Sequence, residues 1–115
     1  DAKQELLEHT KKKALRAPLI IVGISSYKEH PKVPKIEQSV STGGVINNIG
    51  LAAYFSGFAT IWRTGTYAYS DVVKNGLGVA EKEDIIGFLY IGTPSTQDIR
   101  PLEVPLGNYI APWPN

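Results

Sequence analysis

Neither cysteine nor methionine occurs among the 115 residues. Without cysteine there is no disulfide framework, no thiolate nucleophile and no sulfur ligand for a metal, which fits a cytoplasmic protein. Methionine is missing even at position 1, and the chain opens inside a helical pattern, DAKQELLEHTKKK. The expectation is a processed chain or a fragment of a longer one. Histidine is scarce: His9 sits among charges and His30 in a polar loop, with no spacing that would gather metal ligands. Charge of one sign is also lacking. With a formal net charge of +1, nothing suggests nucleic-acid binding by bulk electrostatics. The run Lys11-Lys12-Lys13 with Arg16 reads as a solvated helix end, where cations suit the dipole. No apolar run reaches the roughly 18 residues of a membrane span, and no signal-peptide layout is present.

What is present is concentrated between Gly43 and Gly65, GGVINNIGLAAYFSGFATIWRTG. This stretch reads as the second half of a long apolar helix, a glycine stop at Gly57, a short strand and a Trp-Arg-Thr-Gly turn. Gly43, Gly44 and Gly50 lie inside the helix, where each costs roughly 0.5–1 kcal/mol relative to alanine. Small residues there admit another backbone, a partner helix or a flat ligand. Val45, Ile46, Ile49, Leu51 and Phe55 fall on no single stripe, so the helix needs cover on most sides. That cover is either tight packing within the chain or a subunit interface.

Taken in order, residues 2–14 form a surface helix ended by Arg16-Ala17-Pro18. Leu19–Ile24 is a continuously apolar strand, read as buried on both faces. A loop over Ser25–Pro34 leads to the long helix, about Lys35 to Ser56, with Pro34 in its first turn. Phe58–Trp62 is the second strand. Ser70 caps a short helix that Gly76 closes. After a charged turn at Glu81–Asp84, Ile85–Ile91 is the third strand. Residues 95–115 form an extended tail, with four of the eight prolines falling in PLEVPLGNYIAPWPN; it lies on another surface through Leu102, Val104, Ile110 and Trp113. Three strands with so little helix imply an incomplete core that needs a missing segment, a partner subunit, or both.

No side-chain constellation announces catalysis. The serines lack a nucleophile elbow, the carboxylates are scattered, and the glycine-rich pieces match neither a P-loop nor a dinucleotide fingerprint. Such a chain is either a non-enzyme or an enzyme whose cofactor carries the reaction.

Five segments, in order, resemble the smaller members of the FMN-dependent nitroreductase family: RAPLII (Arg16–Ile21), HPKVPKIEQSVSTGG (His30–Gly44), AAYFSGFATIWRTG (Ala52–Gly65), IIGFLYIGTP (Ile85–Pro94) and IRPLEVP (Ile99–Pro105). The resemblance implies an α+β fold, a nitroreductase-like mixed sheet flanked by helices with a long central dimer-interface helix. Residues 1–115 would be the C-terminal portion of one such domain. It also implies FMN as cofactor, NAD(P)H as co-substrate, a homodimer, and a nitroaromatic, quinone or related small-molecule electron acceptor. By position, Trp62, Arg63 and Thr64 match the family's turn against the flavin ring. Arg100 matches a basic residue that reaches the flavin phosphate. Ala52, Ala53, Tyr54, Phe55, Ser56 and Gly57 match a segment assigned to nicotinamide nucleotide binding. The competing readings are Trp62 as core, Arg63 and Arg100 as surface charges, and Ala52–Gly57 as helix packing. The family's Arg-Arg-Ser-type segment and its Pro-x-x-x-x-Gln-Pro-Trp-like segment do not occur here, so the chain would supply part of a site. A flavin- or nucleotide-binding module without turnover, and a purely structural dimerisation unit, are the alternatives.

Overall fold

A computed structural model describes residues 1–96 and 100–114. Its elements run α1 (Ala2–Ala14), β1 (Leu19–Ser26), α2 (Lys35–Phe55), β2 (Ala59–Arg63), a 3-10 turn (Thr66–Tyr69), α3 (Asp71–Gly76), β3 (Glu83–Gly92) and a second 3-10 turn (Leu106–Asn108). The strands form one sheet in the order β1-β3-β2, both pairs antiparallel. Two strands antiparallel to the same neighbour are parallel to each other. β1-α2-β2 is therefore a strand–helix–strand crossover with β3 laid between its strands, and the mixed character expected of the sheet survives only in that relation. The architecture is α+β. Among the described residues, no helix is long and apolar enough to cross a membrane.

The long helix is held to the sheet by a match of glycines to bulky side chains. Ile46, 2% exposed, sits over Gly23 of β1, where any Cβ would collide with its side chain. The Trp62 indole crosses Gly87 of β3 in the same way, and its far edge lies 3.5 Å from the position of a Cβ on Gly43. Gly50 approaches Thr60 and Leu89. Gly43 and Gly50 are thus sites of close approach to the sheet, whereas Gly44 faces open space. Around Ile46 pack Leu89, Ile91, Ile21, Ile49 and Ala53. A second cluster, Ala68, Val79 and Ile85 with Val22, Val73 and Phe88, covers part of the opposite face. A register shift at Gly23/Ile24 opposite Gly87/Ile85 reverses the alternation of β3 between these clusters.

The stops of α2 and α3 share one chemistry. At the end of α2 the Phe58 and Gly57 amides donate to the Ala53 and Tyr54 carbonyls, each at 3.0 Å, with Gly57 at φ +89°. At the end of α3 the Val79 and Gly78 amides donate to Lys74 and Asn75, at 2.9 and 3.2 Å, with Gly78 at φ +70°. Positive φ is why glycine stands at both. The closing residue of α3 is accordingly Gly78; Gly76 is its last helical residue. Ser70 does cap α3, accepting from the Val73 amide. Pro34 stands at the N-cap of α2, one position before its first turn. Gln38 fastens the preceding loop, accepting from the Lys28 amide and donating to the Lys28 and Val33 carbonyls.

Burial corrects one expectation. The continuously apolar β1 is only half covered: Leu19 and Ile24 are exposed and Ser25 is its one buried residue. The helices of this chain cover one face and a fraction of the other. Among its described residues the tail carries a 3-10 turn and no longer element, and Leu102, Val104, Ile110 and Trp113 are exposed. Its residues 97–99, including Ile99 of the IRPLEVP segment, and Asn115 lie outside the described residues.

Candidate functional site

Period-two alternation along β2 sends Trp62 and Arg63 to opposite faces of the sheet. Trp62 lies on the α2 face, 42% exposed, with Nε1 donating to the Ile86 carbonyl at 3.4 Å. Its ring is largely a packing element that locks β2 to β3 and α2. Arg63 points the other way, its guanidinium carbon 6.0 Å from the centre of the Tyr90 ring. That contact is a cation–π attraction worth about 0.5–1 kcal/mol at an exposed site. Thr64 follows, and Gly65 at φ +64° turns the chain into Thr66–Tyr69.

β2 is an edge strand. One side of its backbone meets β3, and the other has no strand partner among the described residues. Alternate N–H groups there are left for a ligand, water or another chain. Beside this edge, Arg63, Thr64, Gly65, Thr66 and Tyr67 line a cleft of about 410 Å³ that Lys13 and Arg16 enter from the end of α1. A second hollow of about 370 Å³ shares Arg16, Arg63 and Tyr90 and follows β2 to Gly92–Thr96.

The remaining predicted residues stand apart. Arg100 is exposed and does not line the cleft that holds Arg63 and Thr64. Ala52–Gly57 is the capped end of α2. Ala53 packs into the sheet-side cluster, Ser56 Oγ donates to the Ala52 carbonyl at 2.8 Å, and Tyr54 and Phe55 meet edge to face at the surface. A helix C-terminus carries the negative end of the dipole, so nothing in this segment's field attracts a phosphate. Sequence reasoning missed Lys13 and Arg16 as cleft residues, because the helix dipole already accounted for a basic run at the end of α1.

A separate polar cluster joins three elements. Lys35 at the start of α2 pairs with Asp84 of β3 at 3.1 Å, and Lys74 of α3 approaches the same carboxylate at 3.8 Å. The Lys35 hydrogen bond, with help from Tyr27 and Lys74, holds the Asp84 carboxyl below its ordinary range. Next to it, the Ala80 amide and the Ser26 hydroxyl hold Glu83 below its own. Among the described residues, no group of three or more His, Asp or Glu is placed to hold a metal ion.

A three-stranded sheet under a long glycine-bearing helix, with an open edge strand ending in Trp-Arg-Thr-Gly, defines an α+β scaffold of a known kind. A crystal structure of a nitroreductase-like family protein from Bacillus cereus superposes with a TM-score of 0.78 at 20% identity, over 97% of this chain and 61% of that one. In sequence, the Nitroreductase family profile matches residues 1–93. The chain belongs to the nitroreductase family. It is 41% identical over 90 residues to Escherichia coli (strain K12) YdjA, which carries the name of an NAD(P)H nitroreductase; the match covers 78% of this chain and 49% of YdjA. A Haemophilus influenzae protein similarly named is 30% identical over 94 residues, 81% of this chain and 51% of its own. The chain thus spans about half the length of these curated relatives.

Proposed function

We propose that this chain is the C-terminal portion of an FMN-dependent oxidoreductase that takes hydride from NAD(P)H and reduces a nitroaromatic, quinone or related small-molecule acceptor. The observation that carries the reading is the free backbone edge of β2 at Trp62–Arg63, which runs on into Thr64. Amides on an unpaired strand edge can donate to the polar rim of a flat ring, and Arg63 beside them adds positive charge where a reduced flavin gathers negative charge. These residues therefore fit a flavin. When bound, the flavin supplies the two-electron chemistry itself; the chain's part is to hold the ring by its edge and stabilise that charge. Arg100 would serve the phosphate from the tail, and Ala52–Gly57 would border the nicotinamide nucleotide through the exposed Tyr54–Phe55 pair.

The same reading makes the active species a homodimer of a longer, cytoplasmic protein. Its support is the apolar surface that this chain leaves bare. On α2 alone Ile36, Val40, Tyr54 and Phe55 are each more than two-thirds exposed, well beyond scattered surface hydrophobics. A second copy and the rest of the domain are the natural cover. Names borne by the relatives, together with family membership, supply the choice of NAD(P)H and acceptor.

Two measurements test it. The whole protein that contains this segment should show a flavin absorption band that NADPH or NADH bleaches without oxygen; absence of the band ends the reading. Fluorimetric titration of the 115-residue chain with FMN should show weak uptake or none, and tight stoichiometric binding would refute the partial-site element.

A further inference from the structure

Among the described residues, Ile86 of β3 stands opposite no residue of either neighbouring strand. In the β1–β3 ladder Gly23 faces Gly87 and Ile24 faces Ile85, so the register passes over Ile86 as a bulge. On the other side β2 pairs with β3 only as far as Arg63 opposite Phe88. Trp62 reaches further with its side chain. Its Nε1 donates to the Ile86 carbonyl at 3.4 Å, and its ring lies across Gly87. The end of β2 is thereby tied to β3 beyond the last rung of their ladder.

Packing alone does not call for this bond. A smaller aromatic ring would still fill much of the space under α2, and at 42% exposure the indole N–H is within reach of water. What the bond adds is a fixed point just before the chain leaves the sheet. Arg63 is the last residue of β2, Thr64 follows it out of the ladder, and Gly65 at φ +64° turns the chain away. On the opposite face Arg63 meets the Tyr90 ring 6.0 Å from its guanidinium carbon, a side-chain contact that does not fix its backbone. Bulges commonly re-aim side chains or end pairing beside functional sites.

We propose that Trp62 is the positioning residue of the β2 edge: its indole N–H, anchored on the unpaired Ile86, sets where the backbone of Arg63 and Thr64 stands toward a ligand. The inference deepens the flavin reading and rests on it, because it names the side chain that aims the edge a flavin would meet. Trp62 itself lies on the α2 face and acts through its two neighbours. A site whose supporting contact is missing is loose by about 1 Å, enough to cost much of its affinity.

The test is Trp62→Phe in the whole protein that contains this segment, which keeps a ring in place and removes the donor. Backbone order parameters from NMR relaxation are read first, without flavin. Arg63 and Thr64 should lie near the rigid value of about 0.85 in the unaltered protein and fall toward the flexible range, below about 0.6, in the variant, while Leu89 and Ile91 keep their order. Fluorimetric titration should then show FMN bound about tenfold more weakly, the effect of one lost hydrogen bond. Ile46→Ala is the control. It loosens packing under the same helix without touching the indole N–H, so it should lower the unfolding midpoint yet leave the order of Arg63 and Thr64 and the FMN affinity unchanged below its transition. A merely structural Trp62 would behave as Ile46 does. Unchanged order at Arg63 and Thr64 in Trp62→Phe, unchanged FMN affinity, or equal losses of both in Ile46→Ala would each overturn the proposal. Absence of a flavin band from the unaltered protein would end the flavin reading alone, and the order parameters, read without flavin, would still decide the role of Trp62.

Discussion

The two faces of the sheet are built on opposite plans. Under α2 the surface is closed by shape: Ile46 fills the space over Gly23, Trp62 crosses Gly87, and Gly43 lets the helix come down on the indole. On the other face only one end is closed, where Ala68, Val79 and Ile85 meet. Among the described residues the end beside β2 is left open, and Lys13, Arg16 and Arg63 line it. Rigid packing on one face fixes the β2 edge in place, and the face beside it is left uncovered by this chain's described residues. A site of this design can carry no strongly perturbed catalytic side chain and still be a site, because position and charge are its contributions.

The sharpest break in that contrast is to crowd the closed face. Gly87→Val places a side chain where the Trp62 ring lies. Overpacking of this kind costs about 3 kcal/mol, so denaturant unfolding should show a large fall in midpoint with little change in slope. Unchanged stability would mean that the indole does not cross β3. Ile46→Ala should cost about as much for the reverse reason, the cavity left above Gly23. Neither change alters the charged cleft directly.

Next in size is the stop of α2. Gly57→Ala forces a Cβ into φ +89°, at a cost of about 1 kcal/mol. Thermal melting should register it as a fall of a few degrees, while the same change at Gly76, the last helical residue of α3, should be near neutral. Equal penalties at the two positions would contradict the placement of the left-handed residue at Gly78.

Gly44 sharpens the comparison from the outer side of α2. A Cβ there meets nothing within 4 Å, so Gly44→Ala should stabilise the isolated chain by about 0.5–1 kcal/mol through helix propensity alone. In the assembled protein the same change reads out contact: loss of stability or of dimer at that point would show that a neighbour packs on Gly44. A gain in both settings would leave the glycine without a packing role.

How much of this was legible beforehand depends on the range of the interaction. Local chemistry read well: α1 at residues 2–14, the glycine stop at Gly57 and the Ser70 cap each depend on a few neighbouring residues. β3 begins two residues earlier than its apolar run, because Ser25 and Ser26 pair with Asp84 and Glu83 and carry polar residues into the ladder. The charged turn likewise ends in Glu83, whose carboxylate accepts from the Ala80 amide at 2.9 Å. Continuous apolarity in β1 implied cover on both faces, yet that cover does not come from this chain's described residues. The Trp-Arg-Thr segment was visible as a motif, and alternation alone parts Trp62 from Arg63. The approach of Lys13 and Arg16 to Arg63 was not visible, since it depends on how α1 folds back beside a turn some fifty residues later. No periodicity encodes such a meeting.

The smallest expected effect concerns Asp84, the joint where the closed face ends. Its carboxyl is held below the ordinary value first by the Lys35 hydrogen bond. A depressed folded-state pKa means that the folded protein binds its proton later than the unfolded chain does. The resulting stability is fully present above the unfolded value near pH 3.8 and disappears as the pH falls through the folded value below it. Lys35→Met removes the main cause, so the Asp84 carboxyl should titrate closer to 3.8 by NMR. The acid-unfolding midpoint should move up in pH, while stability at neutral pH drops by only a few tenths of a kcal/mol, because Lys35 is largely solvated. The Tyr27 hydrogen bond, with the Lys74 charge behind it, should then retain part of the depression. An acid midpoint that does not move on removing Lys35 would show that the joint between α2 and β3 is held by packing alone, with the ion pair as a passenger.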